Sequence, residues 1–180
     1  MMLSDAQVER WSRQIVLPEV GGRGQERLCA ARATVCGGNA AAALAAELLE
    51  RAGVRVVGDA GDVVLDLGDQ PIEAPRGAVV VRGRMRGARM AVVTLVGRPC
   101  GACLDAEALL PRPTRAEAMP AALGAAAARV LGAIAAGEAL SALLRRPRAG
   151  RMQTVDLGAG AFAGTTLPSG PGCARCAGSE

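Results

Sequence analysis

Only two of the 180 residues are aromatic, Trp11 and Phe162. A chain of this length forms one domain with a substantial core, and this one has almost no large rings to fill it. Its apolar content, 51 %, is dominated by alanine, and a further 24 residues are glycine. The core must therefore be built from small and branched aliphatic side chains, with helices in close contact. That favours a layered fold over a cluster of aromatic anchors.

The same bias removes chemistry. All 21 basic residues are arginine, and lysine and histidine are both absent. No Walker lysine, Schiff-base lysine or imidazole base is available. Against 17 acids the net charge is +4, too mild and too scattered to mark a nucleic-acid surface, and stacking aromatics are lacking. The N-terminal run has no charged segment followed by an apolar one, so no signal peptide is expected. The stretch from Met119 to Leu144 is long and apolar but is broken by Arg129 and Glu138. It is expected to be a core helix of a cytoplasmic protein with no membrane partner.

Alternating elements run along the chain. Ser4 and Gln7 form a capping box that opens a short helix to about Gln14. A second helix is expected over Gln25–Arg32, a strand over Ala33–Cys36, and a strong helix over Ala40–Ala52 with Gly53 as its stop. Strand, glycine turn and helix are the opening of a Rossmann-like unit. Val54–Val57 and Asp62–Leu67 read as strands separated only by Gly58-Asp59-Ala60-Gly61, which leaves no room for a crossover helix. Two more strands, Ala78–Val81 and Met90–Val96, are expected around a basic turn, Arg82 to Arg89. A long helix from about Pro120 to Arg145 and a closing hairpin from Arg151 to Leu167 complete an α/β fold with a mixed β-sheet flanked by helices. It is a single domain over 1–180: N-terminal helices (1–32), a shortened nucleotide-fold half (33–97), and a helix-and-hairpin half (98–180).

Four of the six cysteines fall in two Cys-x-x-Cys pairs, Cys100/Cys103 and Cys173/Cys176, each beside a glycine. Four thiolates at such spacing close a tetrahedral structural zinc shell with no open position for water. Two redox or oxidised pairs, or incidental thiols, are the alternatives. A shared zinc would tie the chain's end back to its middle across residues 104 to 172. Cys29 and Cys36 fall in helix and strand and read as small buried apolar residues.

The run Glu9-Arg10-Trp11-Ser12-Arg13-Gln14-Ile15-Val16-Leu17-Pro18-Glu19, continued by Gly24-Gln25-Glu26-Arg27-Leu28, resembles the head of the ThiF/MoeB/HesA family, bacterial relatives of ubiquitin-activating enzymes. Val35-Cys36-Gly37-Gly38 stands where that family's nucleotide-binding strand and turn stand. Asp62-Val63-Val64-Leu65-Asp66-Leu67-Gly68-Asp69 is similar to its acidic strand end. Arg98 to Leu104, Gly137-Glu138-Ala139-Leu140 and the terminal cysteine pair match its zinc and helix positions. The resemblance implies a Rossmann-like ThiF-type fold, a four-cysteine zinc site, usually a dimer, and Mg-ATP-dependent adenylation of a ubiquitin-like sulfur carrier. It places ATP at Gly37 and Gly38 and Mg at Asp69, for which a strand-end turn residue is the plainer reading. It also implies that Arg13 reaches a partner's ATP phosphates, with a salt bridge positioning the N-terminal helix as the equal alternative.

The departures point away from catalysis. The family's Gly-x-Gly-x-x-Gly turn reads Gly37, Asn39 and Ala42 here; Asn39 can adopt a positive φ and the Ala42 methyl is small, so a phosphate is disfavoured rather than excluded. The segment that normally follows the first helix with a ribose-binding acid and phosphate-binding basic residues is missing between Gly53 and Asp62. No cysteine lies between 104 and 119 to carry sulfur. The expectation is a degenerate member without ATP binding or adenylation. It would serve as a zinc-stabilised partner or binding subunit for a ubiquitin-like carrier, a peptide tail or a catalytic homologue, in a homo- or heterodimer. Related families include inactive half-subunits and peptide-binding relatives. A minimal active adenylyltransferase is the alternative. The Arg82–Arg89 turn is expected to be a solvated hairpin tip, with an acidic partner tail as its functional alternative.

Overall fold

The computed structural model describes residues 2–68, 72, 78–95, 110, 121–145 and 150–167. The capping box forms as expected: the Ser4 hydroxyl accepts from the Gln7 amide, and the Gln7 side chain accepts from the Ser4 amide. It starts α1 (Asp5–Arg10), followed by α2 (Ser12–Ile15) and α3 (Gly21–Ala30). The second expected helix thus begins four residues before Gln25, at Gly21, whose φ of +60° turns the chain into it. Then come β1 (Arg32–Cys36), α4 (Ala40–Arg51), β2 (Arg55–Val57), β3 (Val63–Asp66), β4 (Val79–Arg86) and β5 (Arg89–Leu95). A 25-residue helix, α5 (Ala121–Arg145), and the hairpin β6 (Gly150–Asp156) and β7 (Ala161–Leu167) follow.

The strands form one mixed sheet in the order β2-β1-β3-β4-β5-β6-β7. The first four are parallel and the last three antiparallel to their neighbours. Helices α4 and α5 pack side by side on one face, α4 over β1 and β2, α5 over β3, β4 and β5. Alternation along the strands sends Val63, Leu65, Val81, Met90 and Val92 into that helical layer. Ala91, Val93 and Leu95 point the other way and cluster with Leu110.

Close packing by small residues is most evident where the helices cross. Ala41, Ala42 and Ala45 of α4 and Ala127, Ala135, Ala136 and Ala139 of α5 are all buried. A Cβ at Gly132 would fall on the Ala41 backbone oxygen, so α5 rests directly on the backbone of α4. Helix α5 is long and apolar enough to cross a membrane by length and composition. Its inner face is instead committed to α4 and the sheet, while Leu123 and Val130 on its outer face stay 43 % and 36 % exposed. The expected core helix is therefore buried on one side only.

The missing crossover helix has a physical account. Val56 and Val63 both stand level with Ala33 on β1, one on each side of it. The chain passes from β2 to β3 through residues 58–62, laid directly across β1. A Cβ at Gly61 would lie 2.6 Å from the Thr34 nitrogen, and the Gly61 amide donates to the Thr34 hydroxyl at 3.2 Å. Ala60 takes a φ of +51° to make the passage.

At the far end of the sheet Asp156 organises the β6–β7 turn. One carboxylate oxygen accepts from the Ala159 amide at 3.0 Å, and the other from Arg89 Nε at 2.9 Å. Those bonds, the Ala159 amide first, hold the carboxyl below its ordinary value of 3.8. A depressed folded-state pKa gives stability that is complete above pH 3.8 and lost as pH falls through the lower folded value. Asp156→Asn is therefore expected to lie below the wild type in urea midpoint at neutral pH, with the gap closing as the pH drops below the ordinary carboxyl value.

Candidate functional site

In an open α/β sheet, ligands bind outside the carboxyl ends of the strands where the strand order reverses. Here the chain leaves β1 for β2 on one side and returns to β3 on the other, so that point lies between β1 and β3. Gly37, Gly38, Asn39, Leu67 and Gly68 meet there. Gly37 has a φ of +136°, closed to most side chains, and its missing Cβ would sit 3.0 Å from the Leu67 carbonyl carbon. The Leu67 amide donates to the Cys36 carbonyl at 2.9 Å, which continues the β1–β3 pairing past the strand ends.

Asn39 does not use the positive φ open to it. Its φ is −114°, in extended backbone, and its role lies in its side chain. Oδ1 accepts from the Ala42 amide at 3.0 Å, capping α4, while Nδ2 donates to the Leu67 carbonyl at 2.7 Å. One side chain thus stitches the turn to the end of β3 across the crevice. Gly38 is open, with nothing within 4 Å of where a Cβ would stand.

The strand-end carboxylate beside this crevice is already engaged. Cys36, Asp66, Arg82, Val93, Met152 and Thr165 form one row across the sheet, on the face away from α4 and α5. Asp66 is completely buried. Arg82 Nε donates to Asp66 Oδ2 at 2.8 Å, and Arg84 reaches both carboxylate oxygens, at 3.1 and 3.0 Å. Arg84 also donates to the backbone oxygens of Asp66 and Gly83. Asp66 is thus held as the ion-pair partner of two guanidinium groups. Both Arg84 contacts to the carboxylate come from one nitrogen, Nη2, and are charge-assisted.

These arginines correct the expected basic turn. Strand β4 runs on through Arg86, and the turn is only Gly87-Ala88, with glycine at φ +56° in the first position of a two-residue hairpin loop. Arg82 is a buried and Arg84 a half-buried structural partner of Asp66, and Arg86 donates to the Leu110 carbonyl at 3.2 Å. The tip itself is Gly87-Ala88, with Arg86 and Arg89 on the strands that flank it. The signal available in the sequence was period two: Val81, Gly83 and Met85 alternate with Arg82, Arg84 and Arg86.

Cys36 stands next to Asp66 in the row. Burial first, and then the Asp66 carboxylate, push its thiol above the ordinary value of 9.0. A protonated thiol at neutral pH is a poor nucleophile, but Cys36 and Cys29 are both only partly buried, short of the buried packing positions expected of them. Cys29 lies in α3 near the Gln25 amide, 3.6 Å away. Arg13 is exposed on α2 and has no ion-pair partner among the described residues. Asp69, Cys100, Cys103, Cys173 and Cys176 lie outside the described residues. The described residues hold no cluster of three or more metal-ligating side chains.

Glu138, which interrupts the apolar run of α5, is a second buried carboxylate. It accepts from the Thr94 hydroxyl at 2.8 Å and from the Gln153 amide, with Arg151 3.6 Å away. It joins α5 to β5 and β6. A shallow groove near the β6–β7 turn, lined by Met90, Leu110, Ala161 and Ala163, is largely apolar and ends at the Arg89–Asp156 pair.

Fold and crevice together define a mixed α/β sheet with a Rossmann-like strand, turn and helix at its switch point. That architecture is shared with MccB of E. coli. The structure of MccB with MccA-N7isoASN matches at a TM-score of 0.66 and 10 % identity, covering 93 % of this chain and 74 % of that one. MccB with ATP matches at 0.66 and 11 %, covering 93 % and 73 %. A heterocyclase in complex with substrate and cofactor matches at 0.58 and 16 %, covering 97 % of this chain but 28 % of that one. No protein-family model matches the chain, and no curated protein matches it in sequence.

Proposed function

We propose that the chain is a degenerate member of the ThiF/MoeB/HesA family. On this reading it has lost ATP binding and acts as a partner or binding subunit for a ubiquitin-like sulfur carrier, a peptide tail or a catalytic homologue. The family assignment is supported by the N-terminal resemblance together with the fold shared with MccB, a protein solved both with ATP and with MccA. The loss of ATP binding is supported chiefly by the passage from β2 to β3, where residues 58–62 stand in place of the family's ribose- and phosphate-binding segment. The stitch from Asn39 to Leu67 adds to it. A phosphate contact is a charge-assisted bond of roughly 1.5–3 kcal/mol, and a site stripped of several such bonds retains very weak affinity.

Isothermal titration of the isolated protein with Mg-ATP is expected to give no binding up to about millimolar concentrations. A micromolar dissociation constant would sink this reading and promote the alternative, a minimal adenylyltransferase with part of its site supplied by a second subunit. In that alternative Arg13, exposed and without an ion-pair partner among the described residues, is the group that would reach across.

Cys100, Cys103, Cys173 and Cys176 are proposed to hold one structural zinc. Their chemistry fits a closed tetrahedral shell, and the metal would supply a cross-link and no reactive position. Elemental analysis is expected to find about one zinc per chain. Each Cys→Ser variant should lose zinc and stability together, because metal binding free energy becomes folding free energy. Zinc-free protein of unchanged stability would refute the staple. A cytoplasmic location belongs to the same proposal.

A further inference from the structure

Residues 2–20 carry one buried side chain, that of Trp11. Neither α1 nor α2 buries a residue, and Val8, Val16 and Leu17 stay 44, 77 and 48 % exposed. Hydrogen bonds from this arm stay within it or reach the first turn of α3, with a single exception among the described residues. Trp11 Nε1 donates to the Arg51 carbonyl at 3.0 Å. Arg10 lies over the indole, 5.4 Å from the ring centroid, but it belongs to the arm and adds nothing to that tie.

The seat under Trp11 is polar and imperfectly matched. The last carbonyls of α4 have no partner within the helix. Trp11 takes that of Arg51, and Gln25 Nε2 donates to that of Ala52 at 2.8 Å. A Cβ at Gly53 would lie 2.9 Å from Gln25 Nε2, 3.1 Å from Cys29 Sγ and 3.1 Å from Trp11 Cζ2, so the three side chains converge on that glycine. Gln25 is completely buried, and its Oε1 has no hydrogen-bond partner among the described residues. A buried carbonyl without a donor carries a desolvation penalty that contact with water removes. The closed seat therefore sets a ring that gains from burial beside an oxygen that loses by it.

We propose that residues 2–20 form a strap with Trp11 as its latch, which opens as a unit while the sheet and helices α3 to α5 stay folded. Local openings of this kind come from segments with few buried apolar contacts and few bonds to the core, and here one indole supplies both. The hinge is the stretch from Pro18 to Gly22. Gly21 holds a φ of +60° there, and a Cβ at Gly21 or Gly22 would meet nothing within 4 Å. Opening withdraws the indole from the end of α4, lets water reach Gln25 Oε1 and bares the Cys29 thiol. Arg13, two residues beyond the latch, travels with the strap.

Trp11 is the chain's only tryptophan, so its fluorescence reports the latch, while far-UV circular dichroism of the full chain reports the helices and sheet. In urea the emission is expected to move to the red at a midpoint at least about 1 M below that of the dichroism, with a shallower slope because less surface is uncovered. Coincident transitions would overturn the strap, since they mark one cooperative unit. Trp11→Ala tests the latch without denaturant. The variant is expected to keep a cooperative dichroism transition, and its Cys29 should react with iodoacetamide at least about tenfold faster than in the wild type, mapped by peptide mass. A Trp11→Ala protein that no longer folds would show that the arm is part of the core and overturn the proposal. Alkylation of Cys29 at the wild-type rate would overturn it too, because the latch would not cover its seat.

Discussion

Replacing Asp66 by alanine is expected to lower the stability of this protein by about 3–5 kcal/mol. Asp66 is fully buried, and Arg82 and Arg84 retain only 5 % and 13 % of their side-chain exposure. Removing the carboxylate takes a buried counter-charge away from two guanidinium groups of the sheet, and neither can deprotonate to escape the cost. Urea unfolding of the variant gives the number directly. Arg84→Met should cost less, because Arg82 still neutralises the carboxylate. The double variant Asp66→Ala/Arg84→Met should recover part of the loss, since one stranded charge is gone. A loss below about 1 kcal/mol for Asp66→Ala would mean that the carboxylate is not held as described. The crevice would then have to be reconsidered as a cation site.

Two glycines of α5 are expected to respond in opposite directions to the same substitution. Gly132→Ala drives a methyl into the Ala41 backbone oxygen, and a backbone atom of a packed helix cannot rotate away. Overpacking of this kind costs roughly 1–3 kcal/mol, occasionally more, and the gain in helix propensity of about 1 kcal/mol offsets only part of it. At roughly 2–4 °C per kcal/mol for a chain of this size, a melting point several degrees lower is expected. A Cβ at Gly137, on the exposed face, meets nothing within 4 Å, so Gly137→Ala should raise the melting point by a few degrees. Calorimetry on both variants checks the pair. Stabilisation by Gly132→Ala would show that α4 and α5 do not touch there.

Much of the architecture is legible because it is local. The capping box at Ser4 and Gln7, the strand ending at Cys36, the helix from Ala40 and the Arg151–Leu167 hairpin each follow from patterns of three to seven residues. The scarcity of aromatic rings also tells correctly that helices must meet through alanine and glycine. The candidate site is far less legible. Arg82, Arg84 and Arg86 suggest a polar tip because charged residues normally sit in solvent. The burial of Arg82 and Arg84 depends on Asp66, sixteen residues before Arg82, arriving beside it on the neighbouring strand. Asn39 suggests backbone freedom in a glycine-rich turn, whereas its contribution comes from an amide that spans to Leu67, twenty-eight residues away.

Fold class was thus determined by the sequence alone, through periodicity and the placement of glycine, which act within a few residues and need no partner. Whether the crevice between β1 and β3 is open or closed was decided only by tertiary structure. The same goes for the ion pairs that gather at Asp66. Each is a balance of distant groups brought within hydrogen-bond reach, or left without it, by the order of strands in the sheet. A buried carboxylate's chemistry depends on what else is buried beside it, and for Asp66 the neighbours are two arginines.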